Sequence, residues 1–317
     1  YKDSANASIP AVMEVSGKPM MVRPVMLPQI LRSYAGLKDM EEKPLSKWLY
    51  AGNIMRPTDG GLISEYEFGL EVLGAFTHLT EAQTIAAVWH LVQGLGLEEA
   101  ILEINTIGDA SSQSTYGSVL YDFLSLKKFE LCDVCNEALD ARVFDVLRCS
   151  NLECQVLLAE APTVLDFLDD NSQKHFTLVL EALDELQIPY QLNPFFVGPA
   201  GSSRTNFVIR YKQGDKSIVI GEGAYHDIIM KNVTGKVFSC FGFQGSLTAL
   251  HKSMEVAEVQ VAPETGCEVF LVPLGELASK KSLRLFHDLT IADVRVYDHF
   301  GTVGVKNQLK AAEEYKS

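Results

Sequence analysis

The chain has 317 residues, 47% hydrophobic and 21% charged, which is ample for a buried core and unlike disordered or fibrous proteins. With 27 basic and 41 acidic residues it carries −14, which weighs against a polyanionic partner unless a local basic face exists. No apolar run approaches the roughly 18 residues of a membrane span, Tyr1-Lys2-Asp3-Ser4 opens no secretory signal, and six cysteines, four of them clustered, suit a reducing compartment. These features read as cytoplasmic, and the missing initiator Met as a processed chain or a fragment.

Residues 45–76 read as two strands around a glycine-rich loop, with Trp48, Tyr50, Phe68, Leu70 and Val72 in period-2 alternation. Thr80-Glu81-Ala82-Gln83 has the form of a capping box, opening a helix whose Ile85, Trp89, Val92 and Leu95 share a face and which Gly96 closes. Leu102 and Ile104 begin a strand. Residues 115–190 are mainly helical, and Phe176, Leu180 and Leu183 mark a helix ending before Pro189. Phe207–Tyr211, the turn Gln213-Gly214-Asp215 and Ser217–Ile220 predict a hairpin, and Val237–Phe243 a further strand. From Gly266 a β-α-β-α unit follows: a strand at Val269–Val272, a helix over Glu276–Leu289, a strand over Asp293–Tyr297 and a helix from Val303. This last unit holds seven basic and seven acidic residues, so the negative excess lies upstream. Pro263-Glu264-Thr265-Gly266 is the linker candidate.

The most informative stretch is 105–208. It holds Asn105-Thr106-Ile107-Gly108-Asp109, Cys132-x2-Cys135, Cys149-x4-Cys154, Ala161-Pro162, His175-Phe176 and Asn193-Pro194-Phe195-Phe196-Val197. That order and spacing resembles the central part of bacterial histidyl-tRNA synthetases, and the similarity runs from about Met21 to the C-terminus. It implies an α+β fold: a class II synthetase-like antiparallel sheet core (1–114 and 191–262), a mainly helical insertion (115–190), and a smaller, apparently truncated anticodon-binding-like α/β domain (266–317).

Carried over position by position, the resemblance gives a mixed inventory. Val22-Arg23-Pro24 matches a strand end that in the family continues with a glutamate and a threonine for the substrate; here those places hold Val25 and Leu27. Leu49–Arg56 resembles the first strand of the second motif, so Arg56 implies a nucleotide-phosphate contact, chemistry a guanidinium suits. The basic tRNA-facing loop after it is replaced by Pro57-Thr58-Asp59-Gly60-Gly61. Glu67 stands where a histidine-binding glutamine is expected. Glu71 matches the glutamate that meets the substrate imidazole, and Tyr225 sits in the echo of a glycine-glycine-arginine-tyrosine-aspartate turn. Arginines are missing from that turn (Ala224), from the third motif (Thr248), and from an arginine-glycine-leucine-aspartate-tyrosine-tyrosine motif, which here reads Gly198-Pro199-Ala200-Gly201-Ser202-Ser203. Adenylate formation needs cations on a pentavalent phosphorus, and losing one such donor costs roughly 10²–10³ in rate. Arg204 is the nearby candidate for a displaced cation.

Several features carry two readings. Cys132, Cys135, Cys149 and Cys154 have the spacing of a structural zinc site with four thiolates and no open catalytic position, or are small buried core residues. Arg56 and Glu71 are ligand contacts, or persist as a mutual ion pair on facing rungs. Cys240 and Cys267 read as strand residues of the core, His175 as a surface or capping residue opening a helix, and His226 beside Asp227 as part of a solvated turn rather than a proton-transfer pair.

The sequence therefore predicts a histidyl-tRNA synthetase-like scaffold without normal aminoacylation, acting through binding or regulation. It predicts a homodimer, with a protein partner or tRNA and no membrane. The alternative is a divergent but active histidine–tRNA ligase, and only that reading calls for ATP and Mg.

Overall fold

A computed structural model describes residues 12–15, 18–21, 23, 25–37, 45–58, 61–214, 216–260, 267–298 and 304–314. The linker candidate at 263–266 lies outside them. The chain divides into two compact units, 1–259 and 260–317.

In the first unit, β1 (Val12–Val15) and β2 (Lys18–Met21) pair antiparallel, and α1 (Leu27–Ala35) follows. Then come β3 (Leu45–Thr58), β4 (Gly61–Gly74), α2 (His78–Gly94), β5 (Ala100–Thr106) and α3 (Ala110–Leu126). Three short helices succeed them: α4 (Asp133–Ala141), α5 (Val143–Val146) and α6 (Leu152–Leu158). The chain continues through α7 (Asp170–Glu185), β6 (Gln191–Leu192), β7 (Ser203–Gln213), β8 (Lys216–Tyr225), α8 (Asp227–Thr234), β9 (Cys240–Ser246) and α9 (Leu247–Val256). Among the described residues seven strands form one sheet, in the order β3-β4-β9-β8-β7-β5-β6, antiparallel except for the β5–β6 pair.

Register decides what each face of this sheet carries. Side chains alternate along a strand and directly paired residues share a face. The pairs Val72↔Phe241, Leu70↔Phe243, Phe241↔Tyr225, Phe243↔Gly223 and Ile104↔Phe207 put the aromatic and aliphatic residues on one side. Against that side pack Ile85, Trp89 and Val92 of α2, Val179 and Leu183 of α7, and Leu250 of α9. The glycine at 223 is required there, because a Cβ would collide with the Phe207 ring. Replacing the fully buried Phe207 by Ala is expected to cost about 3–5 kcal/mol, read as a lower urea midpoint at unchanged slope.

A second cluster joins Tyr116, Leu120 and Leu124 of α3 to Cys135, Leu139, Val146, Cys154 and Leu157 of α4–α6, with Val197 from the loop before β7. A third, formed by Leu27, Leu31 and Tyr34 of α1 with Leu73, Met230 and Cys240, seals one end of the sheet's other face. Leu27 is thus an apolar anchor of α1.

The second unit holds β10 (Val269–Leu271), α10 (Glu276–Ile291), β11 (Val296–Asp298) and α11 (Val305–Glu314), with β10 and β11 parallel. That is the expected β-α-β-α order. Its second strand starts three residues later than the sequence pattern predicts, and β9 likewise begins at Cys240 rather than Val237. Cys267 lies outside a strand.

The capping box is a correction. Thr77, not Thr80, precedes α2, and no side chain caps that helix end. Glu81 turns inward and is fully buried, accepting hydrogen bonds from Thr205 Oγ1 (2.9 Å) and the Tyr225 hydroxyl. His175 is also corrected. It lies inside α7, its Nε2 is 2.8 Å from Glu81 Oε1, and its ring meets that of Tyr225.

Candidate functional site

The opposite face of the sheet is polar. By the same pairing it carries Trp48 and Tyr50 of β3, Glu67, Gly69 and Glu71 of β4, Gly242 and Gln244 of β9, Glu222 and Ala224 of β8, Asn206 of β7, and Asn105 and Glu103 of β5. Such a face, beside one packed by helices, is a platform for a ligand or for covering loops. The structure gathers Arg56, Glu67 and Glu71 on this side. It sends Tyr225 to the other side, among Phe76, Phe241 and Glu81.

Glu71 lies at the floor and is fully buried, with its carboxylate across Gly242, where a Cβ would collide with it. Tyr50 Oη and Cys240 Sγ each stand 3.4 Å from its oxygens, and His226 Nε2 is 3.9 Å away. The Tyr50 ring lies over Gly69 in the same manner. His226 is therefore a buried residue, not part of a solvated turn; it is 1% exposed and, among the described residues, neither ring nitrogen has a hydrogen-bond partner. Burial pushes the Glu71 carboxyl up to about 8 and holds the His226 imidazole down at about 4. Neutral forms suit a floor where, among the described residues, no lysine or arginine pairs with Glu71.

These shifts set a pH dependence with a definite sign. Between 4.5 and about 8 the unfolded Glu71 loses its proton while the folded one keeps it, so stability falls as pH rises. His226 acts oppositely, but only below 6.5, where the unfolded imidazole takes a proton the folded one refuses. Of these two groups, Glu71 alone acts from pH 6.5 to about 8. Thermal melts across that window should show declining stability in the native chain and a flatter profile in Glu71→Gln.

Glu67 accepts a 2.9 Å hydrogen bond from the Met26 backbone N–H at the start of α1, and burial pushes its carboxyl up. It therefore anchors that helix. Arg23, Arg56, Arg148 and Arg204 are each engaged by other groups of the chain. Arg56 Nε lies 3.0 Å from Glu65 Oε2, so its ion pair is with Glu65 and not with Glu71. Arg23 donates to the Asn53 carbonyl and to Gln29. Arg148, from the turn before Cys149, donates through Nη2 to both oxygens of Glu222 at 3.0 Å. Arg204 adopts φ +48° at the β7 bulge, and its guanidinium lies 5.1 Å from the Tyr225 ring centre on the helix-packed side.

Gly198 has a steric reason of its own. A Cβ there would collide with Asn206 Oδ1 and stand 2.9 Å from Ser202 Oγ. The loop lies close on the platform, where Asn105 Nδ2 donates to the Pro194 and Phe196 carbonyls.

Away from the platform, the Sγ atoms of Cys132, Cys135, Cys149 and Cys154 all lie within 4.8 Å of one another and could hold a metal ion. The Cys132–Cys149 separation is 3.8 Å, matching the edge of about 3.8 Å expected for a tetrahedron with Zn–S bonds of roughly 2.3 Å. Cys132 N–H donates to Cys154 Sγ and Asn151 N–H to Cys149 Sγ, contacts that favour thiolate charge.

No family model matches the chain. A histidine–tRNA ligase of Streptococcus equi subsp. equi (strain 4047) is 29% identical over 303 residues, covering 93% of this chain and 71% of the relative. The chain resembles histidyl-tRNA synthetases. The ligase of Streptococcus pyogenes serotype M1 is 28% identical over the same share. In fold, the synthetase-like chain matches the crystal structure of apo S. aureus histidyl-tRNA synthetase at a TM-score of 0.73 and 22% identity, covering 99% of this chain and 79% of that one. A protein described as an ATP phosphoribosyltransferase regulatory subunit/histidyl-tRNA synthetase from Bacillus halodurans C has the fold at 0.59 and 14% identity, with 98% and 84% covered. The mixed antiparallel sheet and its flanking helices are thus a class II synthetase-like fold.

Sequence reasoning missed His175, His226, Glu81 and Arg148 as members of connected networks. Only His226 carried a local signal, its neighbour Asp227, and that signal pointed outward.

Proposed function

We propose that this chain is a histidyl-tRNA synthetase-like scaffold without normal aminoacylation, acting by binding or regulation. The observation that carries this reading is the charge state of the platform. Arg56 and Arg148 are each spent on a carboxylate of the chain itself, while Gly198, Ala224 and Thr248 stand where the resemblance calls for arginines. Phosphoryl chemistry depends on cations free to meet developing negative charge. The test is calorimetry with ATP and with histidine. The scaffold reading expects neither to bind with the affinity of a working ligase, and heats of a full catalytic pair would end it.

One observation favours the second reading, a divergent active ligase using ATP and Mg: the resemblance to named ligases spans 93% of the chain. Further parts of the proposal are a structural zinc ion on the four cysteines, a homodimer, and a cytoplasmic location. Among the described residues no helix is long and apolar enough to cross a membrane. The partner is a protein or tRNA. Steep loss of affinity with salt would point to tRNA, and near-independence of salt to a protein.

A further inference from the structure

The four-cysteine cluster and the polar platform meet at one residue. Arg148 immediately precedes Cys149, in a turn tightened by Arg148 N–H to the Asp145 carbonyl (3.1 Å) and Cys149 N–H to the Val146 carbonyl (3.1 Å). Beyond it, Asn151 caps α6 through Glu153 and Cys154 N–H, and Gln155 Nε2 reaches back to the Cys149 carbonyl. The backbone of 145–155 is therefore folded around the sulfur atoms. From this turn Arg148 Nη1 donates to the Val197 carbonyl (2.6 Å) and Nη2 to Glu222, 74 residues away in sequence. Its side chain is 14% exposed and that of Glu222 15%. One guanidinium so ties the helical insertion, the loop before β7 and strand β8 together over the platform.

We propose that a metal ion in the four-thiolate cage anchors Arg148, and that Arg148 in turn latches the cover of the platform onto Glu222. Metal occupancy then sets whether Glu222 and that part of the face are closed or open to solvent. The inference rests on the zinc reading given above. Its physical basis is that a long side chain holds a two-oxygen contact only when its backbone is fixed. Here the turn's own helix is four residues long, too short to fix it alone, and the ion would supply the missing restraint through Cys149. Once the turn loosens, the half-buried Glu222 carboxylate loses its cation and returns to water, since an unpaired charge is costly to keep buried.

The test uses the full chain and two readings: zinc content by plasma mass spectrometry, and carbodiimide labelling of Glu222 followed by mass spectrometry. The native protein is expected to carry one zinc per chain and to label slowly at Glu222. Stripping zinc with a chelator under reducing conditions should raise the Glu222 rate by about tenfold or more, and adding zinc back should restore it. Arg148→Met should raise that rate equally with zinc content unchanged, and zinc addition should not reverse it. Hydrogen exchange in α7, which packs on the other face, reports whether the sheet survives. A chain that neither contains nor takes up zinc overturns the zinc reading itself. Full zinc content with a Glu222 rate indifferent to stripping overturns the latch alone. Equal loss of protection throughout α7 on stripping also overturns it, because the ion would then hold the whole fold. Arg148→Met remains decisive if stripped protein precipitates: an unchanged Glu222 rate in that zinc-loaded variant refutes the latch.

Discussion

Histidine-dependent exchange of pyrophosphate into ATP is expected to run at least about 10²-fold slower than in the streptococcal relatives, because each missing charge donor costs roughly 10²–10³. Two losses acting on one transition state need not multiply, so the lower figure is the safer expectation. Putting arginines back singly should not rescue the rate. At Gly198 the Cβ alone meets Asn206 Oδ1, so Gly198→Arg forces the loop off the platform before its guanidinium reaches anything. Ala224 is fully buried on a central strand, which leaves no room for a longer side chain. Thr248 is exposed at the start of α9 and accepts an arginine sterically, yet α9 packs its Leu250 on the helix-covered side of the sheet, away from the platform. Exchange at the rate of the relatives would refute the scaffold reading outright. Recovery of that rate by Thr248→Arg alone would show that the rest of the site is intact.

Metal removal is the second large effect. Without a cation, four sulfur atoms within 4.8 Å cannot all be thiolates, so the stripped cluster must take up protons and its α4–α6 packing must relax. Zinc supplies about 10–16 kcal/mol of apparent folding free energy in small thiolate modules, and here two of the cysteines, Cys135 and Cys154, are themselves buried members of the cluster that holds α3–α6 together. Chelation, or Cys135→Ser at the buried position, should therefore melt the α3–α6 region as a separate low-temperature transition by circular dichroism. The transition of the sheet and of α2, α7 and α9 should stay near its original temperature, since their core shares few residues with the first. A single unchanged melt after verified zinc loss would show that these cysteines are ordinary core residues.

The sequence was sufficient wherever the signal repeats within a few residues. The period-2 runs around Trp48 and Phe68, the helix face of Ile85, Trp89 and Val92, the Gln213-Gly214 turn and the C-terminal β-α-β-α order all appear in the structure, because each depends on local alternation. Cysteine spacing likewise pointed to a cluster, since two close pairs on short helices need only one fold between them to meet. Charge partners were not legible. Arg56 was read as a ligand contact or a partner of Glu71, but register sets Glu71 opposite Trp48 and leaves Glu65 to pair with Arg56.

The same limit explains the larger misreadings. Glu81 looked like a capping residue because Thr80 precedes it; its partners are Thr205, 124 residues away, and Tyr225, 144 away. His226 looked solvated beside Asp227, yet it is 1% exposed, its backbone N–H donates to the Cys240 carbonyl and its ring lies beside Glu71. By itself the sequence determined the strands around Trp48, Phe68 and Phe207, the apolar face of α2 and the C-terminal β-α-β-α order, because those follow from the order of neighbouring side chains. The elements β1, β2, α1, α8 and α9 were not legible in it. Only tertiary structure decided that Tyr225 faces the helices and Glu71 the platform, and that Arg148 reaches Glu222, because burial and charge pairing are set by residues that the chain brings together across the sheet.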